Sequence, residues 1–230
     1  MLFRLRVVLA LVFIMALTAS FLGLLAQSLA WVEFVPAVLA ANLLVVGILV
    51  ILTAILGRAY CAVLCPLGIF QDIVFWFKKH LRKKHVKFHY RTEAVRLRYG
   101  ILAALLVAWV LGFYFLPALL DPYSIYGRMV TNLLAPLWQQ GFNQAATLAN
   151  SHAWGLWEKY ELVFKGTLAM AVALGYFIFL TILAWRYGRL YCQTICPVGT
   201  MLGTISRFSW LQLNINADKC VGCGLCERHC

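Results

Sequence analysis

The sequence predicts an all-α membrane protein with four transmembrane helices arranged as two parallel repeats, followed by a short cysteine-rich segment. Of its 230 residues, 63% are apolar and 12% are charged, whereas soluble domains are about 45–50% apolar and about 25% charged. The mean hydropathy is +0.84. This composition is too apolar for a soluble enzyme or a disordered segment. It also argues against a nucleic-acid-binding protein, although the net charge is +12.

Four windows with almost no charge are long enough to cross a bilayer, whose core of about 30 Å needs roughly 20 helical residues. They cover residues 7–29, 35–56, 99–120 and 163–185. The first window has features of a signal peptide, because Arg4 and Arg6 precede it and Ser28 and Ala30 resemble a cleavage site. Its apolar run is longer than the roughly 7–15 residues of a signal-peptide core, so we expect a retained helix.

The basic residues predict the orientation. Of the 20 Lys and Arg residues, 17 lie before the first window, between the second and third, or after the fourth. Because basic residues favour the cytoplasmic side, both termini should be cytoplasmic, and the connection between the third and fourth windows should lie outside. All eight cysteines then share the cytoplasmic side, where thiols stay reduced. We expect a multi-pass protein of a bacterial inner (cytoplasmic) membrane, in contact with lipid.

A twelve-residue motif occurs twice, each time at the cytoplasmic end of a predicted helix. Residues 57–68 read GRAYCAVLCPLG and residues 188–199 read GRLYCQTICPVG, with seven identities. The opening glycine can end a helix, and the proline can begin the next one. Because a residue before proline avoids helix, Cys65 and Cys196 should lie on turns, within one tight cysteine loop per copy. The expected repeats cover residues near 35–77 and 163–207 of a four-helix domain over residues 1–210.

Two such loops facing each other would supply four thiolates, from Cys61, Cys65, Cys192 and Cys196. A four-sulfur site suits zinc or an iron–sulfur cluster, so we predict a metal or a second cluster, whose identity the spacing leaves open. The alternatives are a redox-active dithiol pair without metal and small buried side chains at helix ends. Repetition of the spacing and of the proline favours ligation. Arg58 and Arg189 would offset the negative charge of such a centre, although they also fit the charges that set topology.

The final stretch has the spacing of a bacterial ferredoxin cluster motif, CVGCGLCERHC or C-x2-C-x2-C-x3-C. In that motif three cysteines bind one [4Fe-4S] cluster and the fourth serves a second cluster. The predicted ligands are Cys220, Cys223, Cys226 and Cys230. Zinc fits less well, because zinc sites usually pair two separated Cys-x-x-Cys knuckles. We expect residues 211–230 to be the start of a ferredoxin-type domain that is truncated. Either the chain is a fragment of a longer protein or a partner completes the domain, and we favour the fragment.

Together, the two Cys-x3-Cys-Pro loops at residues 61–66 and 192–197 and the cysteine run from residue 220 resemble the NapH/MauN-type membrane ferredoxins. The same loop pair occurs in related membrane polyferredoxins of the nitrous-oxide-reductase regulator and cytochrome-oxidase accessory types. The resemblance covers nearly the whole chain and implies a quinol-linked electron-transfer subunit that feeds a reductase, or a helper in maturing one. The sequence departs from the family pattern by lacking a second ferredoxin run and a flavin-binding outer domain.

Two functions follow as hypotheses. The first is a membrane-bound electron-transfer protein linking the quinone pool or a partner reductase to cytoplasmic-side 4Fe-4S clusters. Whether it would be a quinol dehydrogenase or a subunit of a larger complex stays open. The second is a maturation or regulatory factor that handles a metal centre for a respiratory enzyme. The five histidines all lie outside the predicted spans, so paired intramembrane haem ligands are not expected. The expected partners are lipid, a redox partner protein and a quinone, and no nucleic acid.

Overall fold

The computed structural model describes residues 2–24, 34–39, 42–57, 59–81, 95–113, 115–151 and 166–211. Throughout these ranges the regular secondary structure is helical, which confirms the all-α class. The α-helices are α1 (Leu2–Phe21), α2 (Phe34–Leu39), α3 (Leu43–Leu56), α4 (Ala59–Val63), α5 (Pro66–Leu81), α6 (Val95–Val110), α7 (Phe115–Leu120), α8 (Pro122–Met129), α9 (Ala135–Ser151), α10 (Thr167–Tyr187), α11 (Leu190–Thr194) and α12 (Pro197–Ile205). A π-helical segment (Val130–Leu134) joins α8 to α9, and a 3₁₀ turn (Ser206–Phe208) follows α12.

One helix in the described ranges is long and apolar enough to cross a membrane, namely α10 with its 21 residues. It corresponds to the fourth predicted window. Only 17% of its apolar window is buried inside the protein, so most of this helix faces outward. Two shorter apolar stretches, Leu5–Phe21 and Leu43–Leu56, coincide with parts of the first and second windows. Four transmembrane helices therefore remain a prediction.

The second and third predicted windows are not single helices, which corrects the boundaries taken from the sequence. In the second window α2 and α3 are separate, and the side chain of Asn42 caps α3 by accepting a hydrogen bond from the amide of Val45 (3.3 Å). In the third window α6 ends at Val110 and α7 begins at Phe115. Between them Gly112 has a φ of +86°, a conformation that glycine adopts readily and that ends helices. Counting apolar residues does not reveal such breaks.

The connection between the third and fourth windows contributes side chains to the core, which the sequence did not predict, namely Ile125, Tyr126, Met129 and Val130. Asp121 begins α8 by accepting hydrogen bonds from the amide (2.9 Å) and the hydroxyl (2.8 Å) of Ser124. Farther along, the hydroxyls of Tyr126 and Thr18 share a hydrogen bond (2.7 Å) that links α8 to α1. Helix α8 packs against α5 and α10, and the π-helical segment packs against α10 and α1. Residues 121–134 thus pack against helices of both halves of the chain.

Equivalent helix contacts recur in the two halves of the chain. Helix α1 packs against α4 and α5, and α6 packs correspondingly against α11 and α12. Helix α5 packs on α10, whereas α12 packs on α3. The sequence Arg-Leu-Arg also occurs early in both α1 and α6, at residues 4–6 and 96–98. Each half therefore contains an Arg-Leu-Arg helix, a second long helix, a cysteine motif and a final helix that packs on the other half.

The core lies where the two halves meet. Five helices each contribute a leucine that is at most 3% exposed: Leu17, Leu49, Leu67, Leu180 and Leu202. The rings of Phe70 on α5 and Phe177 on α10 are 5.8 Å apart. Lys78 on α5 is buried, and its ammonium group donates to the carbonyl of Trp185 near the end of α10. This packing holds the helix that follows the first cysteine motif against the helix that leads into the second.

Candidate metal-binding loops

The two motif copies, called the first loop (residues 57–68) and the second loop (residues 188–199), fold alike. Gly57 and Gly188 end α3 and α10 with φ values of +72° and +68°, in the left-handed region that favours glycine. Their amides donate to carbonyls four residues earlier, at 2.9 and 3.0 Å. The predicted helix ends at these glycines are therefore confirmed.

The first cysteine of each copy lies on a short helix, and the second lies on a turn. Cys61 is part of α4 and Cys192 is part of α11. These short helices were not predicted, because the sequence indicated one tight loop. Cys65 and Cys196 have left the helix, as the prolines after them predicted, and those prolines begin α5 and α12. The carbonyl of the tyrosine before each first cysteine accepts two amide hydrogen bonds of 2.9–3.0 Å.

The closing glycine of each copy allows the backbone to pass very near the first cysteine. A Cβ atom added at Gly68 would lie 2.4 Å from the carbonyl oxygen of Cys61, and one at Gly199 would lie 2.2 Å from that of Cys192. Such distances are shorter than any real Cβ contact. The identity of the glycine in both copies therefore has a steric cause, which the sequence pattern did not explain.

The thiols are largely withdrawn from solvent. Cys65, Cys192 and Cys196 are buried, and Cys61 is partly buried. Burial, followed by the nearby charge of Cys61, raises the pKa of Cys192 from an ordinary 9.0 to about 12. Burial and the charge of Cys192 raise the pKa of Cys196 as well. In the absence of a metal these two thiols are therefore protonated at neutral pH, and metal binding would release their protons.

Two N–H groups point at sulfur atoms in the second loop. The side-chain Nε2 of Gln71, on α5, lies 3.3 Å from Sγ of Cys192. The backbone amide of Gly199 lies 3.4 Å from Sγ of Cys196. Hydrogen bonds from amides to ligand sulfur atoms are a recurrent feature of iron–sulfur sites, where they tune the reduction potential. Gln71 comes from the other half of the chain, so sequence spacing gave no sign of it.

Charged groups surround the second loop. Oδ1 of Asp72 accepts a hydrogen bond from Nε of Arg189 (2.6 Å), a second bond joins the same two side chains, and Arg6 lies 3.2 Å from the same carboxylate. Burial opposes the charged form of Arg189, but the hydrogen bonds and charge of Asp72 outweigh it and raise the pKa of Arg189. Cys192 and Cys61 would act in the same direction in their ionised, thiolate form. Arg189 thus provides a cation beside the thiols, as the sequence suggested.

A further cation, Arg98 on α6, lies at the start of α12. It is 2% exposed, and its Nη2 donates to the carbonyls of Gly199 (3.1 Å) and Thr200 (3.3 Å). The sequence indicated Arg98 only as one of the charges that set topology. The one pattern that could have identified it is the Arg-Leu-Arg sequence shared with α1.

The cysteines of the two loops approach each other without forming a ready metal site. Cys61, Cys192 and Cys196 are near enough to affect one another's ionisation. Within the described ranges no group of three or more His, Cys, Asp or Glu side chains is placed to hold a metal ion. A centre shared by Cys61, Cys65, Cys192 and Cys196 therefore stays a prediction. Arg58 and the cysteines at 220, 223, 226 and 230 lie outside the described residues.

Comparison with known proteins finds 4Fe-4S binding domains around the repeated loops. A family model for a 4Fe-4S binding domain matches residues 38–84 and 168–216, once around each loop. A second 4Fe-4S binding domain model matches residues 213–230. The ferredoxin-type protein MauN of Paracoccus denitrificans is 26% identical over 87% of this chain and 56% of its own length. The ferredoxin-type protein NapH of Haemophilus influenzae is 26% identical over 83% of this chain and 54% of its own.

These matches support a NapH/MauN-type 4Fe-4S ferredoxin protein. They also support a 4Fe-4S cluster as its cofactor. The chain is also similar to the putative electron transport protein YccM of Escherichia coli, with 24% identity over 85% of this chain and 47% of that protein. The chain spans about half the length of these relatives. No solved structure matches it.

Proposed function

We propose that the protein is a membrane-bound iron–sulfur electron-transfer protein that links the quinone pool or a partner reductase to 4Fe-4S clusters on the cytoplasmic side. The observation that carries this proposal is the repetition of one loop structure, with the same glycine turn, cysteine spacing and close glycine contact. Each copy coincides with a match to a 4Fe-4S binding domain. Electron transport is also the activity that the name of one relative, YccM, gives.

In this proposal Cys220, Cys223, Cys226 and Cys230 ligate clusters of the ferredoxin type, and Cys61, Cys65, Cys192 and Cys196 ligate a second centre. The donor chemistry of the loops fits such a centre, because four sulfur atoms suit iron–sulfur clusters and zinc, and amide donors already face two of them. A bound cluster would supply one-electron chemistry. The protein's own contribution is to keep water away from the buried thiols and to hold the cation of Arg189 beside them.

The membrane part of the proposal is four spanning segments with both termini in the cytoplasm. The placement of 17 basic residues on one predicted side supports this arrangement. The outward-facing apolar side chains of α10, including Leu168 at 78% exposure, also support contact with lipid. Reporter fusions placed after residues 90 and 151 test the topology, because the proposal expects the first site in the cytoplasm and the second outside.

The function is tested by replacing the two cysteine sets separately in anaerobically purified full-length protein. Cys192→Ser with Cys196→Ser should remove the iron and acid-labile sulfide of one centre, whereas Cys220→Ser with Cys223→Ser should remove those of another. Each double variant is the control for the other. The wild-type protein should also be reduced by a quinol analogue. Iron content that is unaffected by the loop substitutions would contradict a loop centre, and absence of quinol reduction would contradict the quinone link.

The alternative is a maturation or regulatory factor that handles a metal for a respiratory enzyme. This function would use the same loop thiols, of which Cys61, Cys192 and Cys196 lie near enough to affect one another's ionisation. Copper or zinc bound to the loop cysteines, together with failure of quinol to reduce the protein, would favour this function over electron transfer.

A further inference from the structure

The helix that follows the first loop provides two adjacent polar side chains to the second loop. On α5, Gln71 is 1% exposed and its Nε2 lies 3.3 Å from Sγ of Cys192. The next residue, Asp72, accepts a 2.6 Å hydrogen bond from Nε of Arg189. Cys192 and Arg189 belong to the same loop, so two neighbouring residues of one half of the chain bind the cysteine motif of the other half.

The second half of the chain does not offer the same side chains in return. Helix α12 packs on α3 as α5 packs on α10. When the two copies of the motif are aligned, Gln71 and Asp72 correspond to Leu202 and Gly203. Leucine and glycine carry neither a side-chain donor nor a charge. The two loops have the same backbone structure, but the helices that follow them differ in chemistry at the two positions that reach across in the first half.

The amide of Gln71 is not explained by stability alone. Its Oε1 is buried and has no hydrogen-bond partner among the described residues, and burying a polar atom without a partner is unfavourable. A leucine of similar volume, as found at position 202, would avoid that cost while filling the space. What leucine could not supply is the N–H group that faces the sulfur atom of Cys192.

We infer that Gln71 is a positioning residue that tunes the centre held by the loops, by donating an N–H···S hydrogen bond to Cys192. This inference rests on the proposed function, in which Cys192 is a cluster ligand. Hydrogen bonds to ligand sulfur stabilise the more negative, reduced form of a cluster and so raise its reduction potential. Leu202, at the equivalent position of the second half, has no side-chain N–H, so α12 offers no counterpart to this hydrogen bond.

The test compares Gln71→Leu and Gln71→Met with wild-type protein, all full length and purified anaerobically. Leucine copies residue 202, and methionine keeps the length of the side chain if leucine disturbs folding. The signal to follow is the electron paramagnetic resonance signal that disappears in Cys192→Ser, titrated with dithionite against a series of mediators. We expect unchanged iron and sulfide content, a midpoint potential shifted to more negative values and altered g values. Gln144→Leu, on the exposed face of α9, should leave all three unchanged.

Several outcomes would overturn the inference. A midpoint potential and g values identical to wild type in both Gln71 variants would exclude tuning, while the proposed function would stand. Loss of iron from folded Gln71→Met protein would show that the residue retains the centre rather than tunes it. If Cys192→Ser leaves every iron signal intact, the loop centre itself is wrong, and the inference is wrong with it.

Discussion

Gly68 and Gly199 are the residues at which each loop closes on itself. Replacing Gly199 with alanine would place a Cβ atom 2.2 Å from the carbonyl oxygen of Cys192, so the backbone that carries this cysteine must move. We expect Gly199→Ala to lower the free energy of unfolding by roughly 1–3 kcal/mol, the usual cost of overpacking, and to lower the iron content. Thermal unfolding in detergent and iron analysis of the purified variant measure the two effects.

The matched control is Gly141→Ala on α9, where an added Cβ would meet nothing within 4 Å. Alanine is favoured over glycine in a helix by roughly 0.5–1 kcal/mol, so this variant should be as stable as wild type or slightly more stable. Equal effects at positions 141 and 199 would refute the steric role of the loop glycine.

Asp121 is a carboxylate with only 2% exposure, and it gives a pH-dependent prediction. Burial raises the pKa of Asp121 above its ordinary 3.8, although hydrogen bonds from Ser124 and the charge of Arg128 oppose the shift. The folded state therefore binds this proton more tightly than the unfolded state does. Its contribution to stability is present at acidic pH and is lost as pH rises from 3.8 through the raised value.

Asp121→Asn keeps an oxygen that can cap α8, because asparagine and aspartate are similar caps, and removes the buried charge. At neutral pH this variant should unfold at a temperature equal to or above that of wild type, and the difference should shrink on acidification. Melting curves of both proteins, recorded by circular dichroism at neutral and at acidic pH, measure this difference in unfolding temperature. An Asp121→Asn protein that is less stable at neutral pH would indicate that the ionised carboxylate has a partner.

For individual residues, the sequence predicted correctly those whose place in the structure follows from the spacing within the cysteine motif. The opening glycines, the second cysteines and the prolines lie where the motif placed them. Gln71, Asp72 and Arg98 were not recognised, because their partners lie about a hundred residues away along the chain. No local pattern distinguishes a buried arginine that binds a helix from one that faces the cytoplasm.

Among the helices, α1 and α6 show how one Arg-Leu-Arg sequence is used in two ways. Arg6 meets the carboxylate of Asp72 (3.2 Å), on the final helix of the first half. In the second half the position of that carboxylate is taken by Gly203, and Arg98 instead donates to backbone carbonyls of α12. Arg6 thus links α1 to α5, and Arg98 links α6 to α12, so each arginine connects a long helix to the helix that follows a cysteine motif.

Arg98→Met should loosen α12 and the second loop. Hydrogen bonds to charged groups contribute about 1.5–3 kcal/mol each, so we expect the free energy of unfolding to fall by about that amount or more. Arg96→Met, two residues earlier on the exposed side of α6, should change it by less than about 0.5 kcal/mol. Chemical unfolding of both variants in the same detergent separates the two cases, and similar losses would show that α12 does not depend on the buried guanidinium.

The helix boundaries were less predictable than the helices themselves. Hydropathy identified α10 correctly, because nothing interrupts its 21 residues. It joined α6 to α7, since a single glycine with positive φ leaves the composition of the window unchanged. Hydropathy also did not predict that α8 packs in the core. Polar residues such as Asp121 and Ser124 satisfy each other locally and allow this helix to enter it.

In the whole molecule, the two halves stabilise one another through the α5–α10 and α3–α12 contacts. A chain divided between α5 and α6, within residues 82–94, should therefore reassemble when its two parts are produced in the same cell. An affinity tag on residues 1–88 should retain residues 89–230 during purification in detergent. Failure of the two parts to copurify would mean that these helix contacts do not hold the halves together.

Two substitutions on α10 provide the control for this experiment. Leu180 is completely buried and Leu168 is 78% exposed. Leu180→Ala should weaken the association, because truncating a buried leucine costs roughly 2–5 kcal/mol. Leu168→Ala should leave copurification unchanged.

The chain also returns to its first half at the end of the described region. The amides of Trp210 and Leu211 donate to the carbonyls of Ala54 (3.0 Å) and Ile55 (3.2 Å), at the end of α3. The segment that leads toward the predicted cluster motif therefore starts beside the first loop, although it follows the second in sequence. The repeat alone could not predict this position, because the first copy of the motif has no equivalent extension.

The final helix of each half packs on the long helix of the other half. Such reciprocal contacts also relate the protomers of a two-fold symmetric dimer. A chain with a single copy of the repeat would expose the apolar surface through which the two halves pack, and a second copy of the same chain could cover it. Gene fusion would then turn an association that depends on concentration into a permanent one. In a fused chain the two copies need not stay identical, and here one has glutamine and aspartate where the other has leucine and glycine.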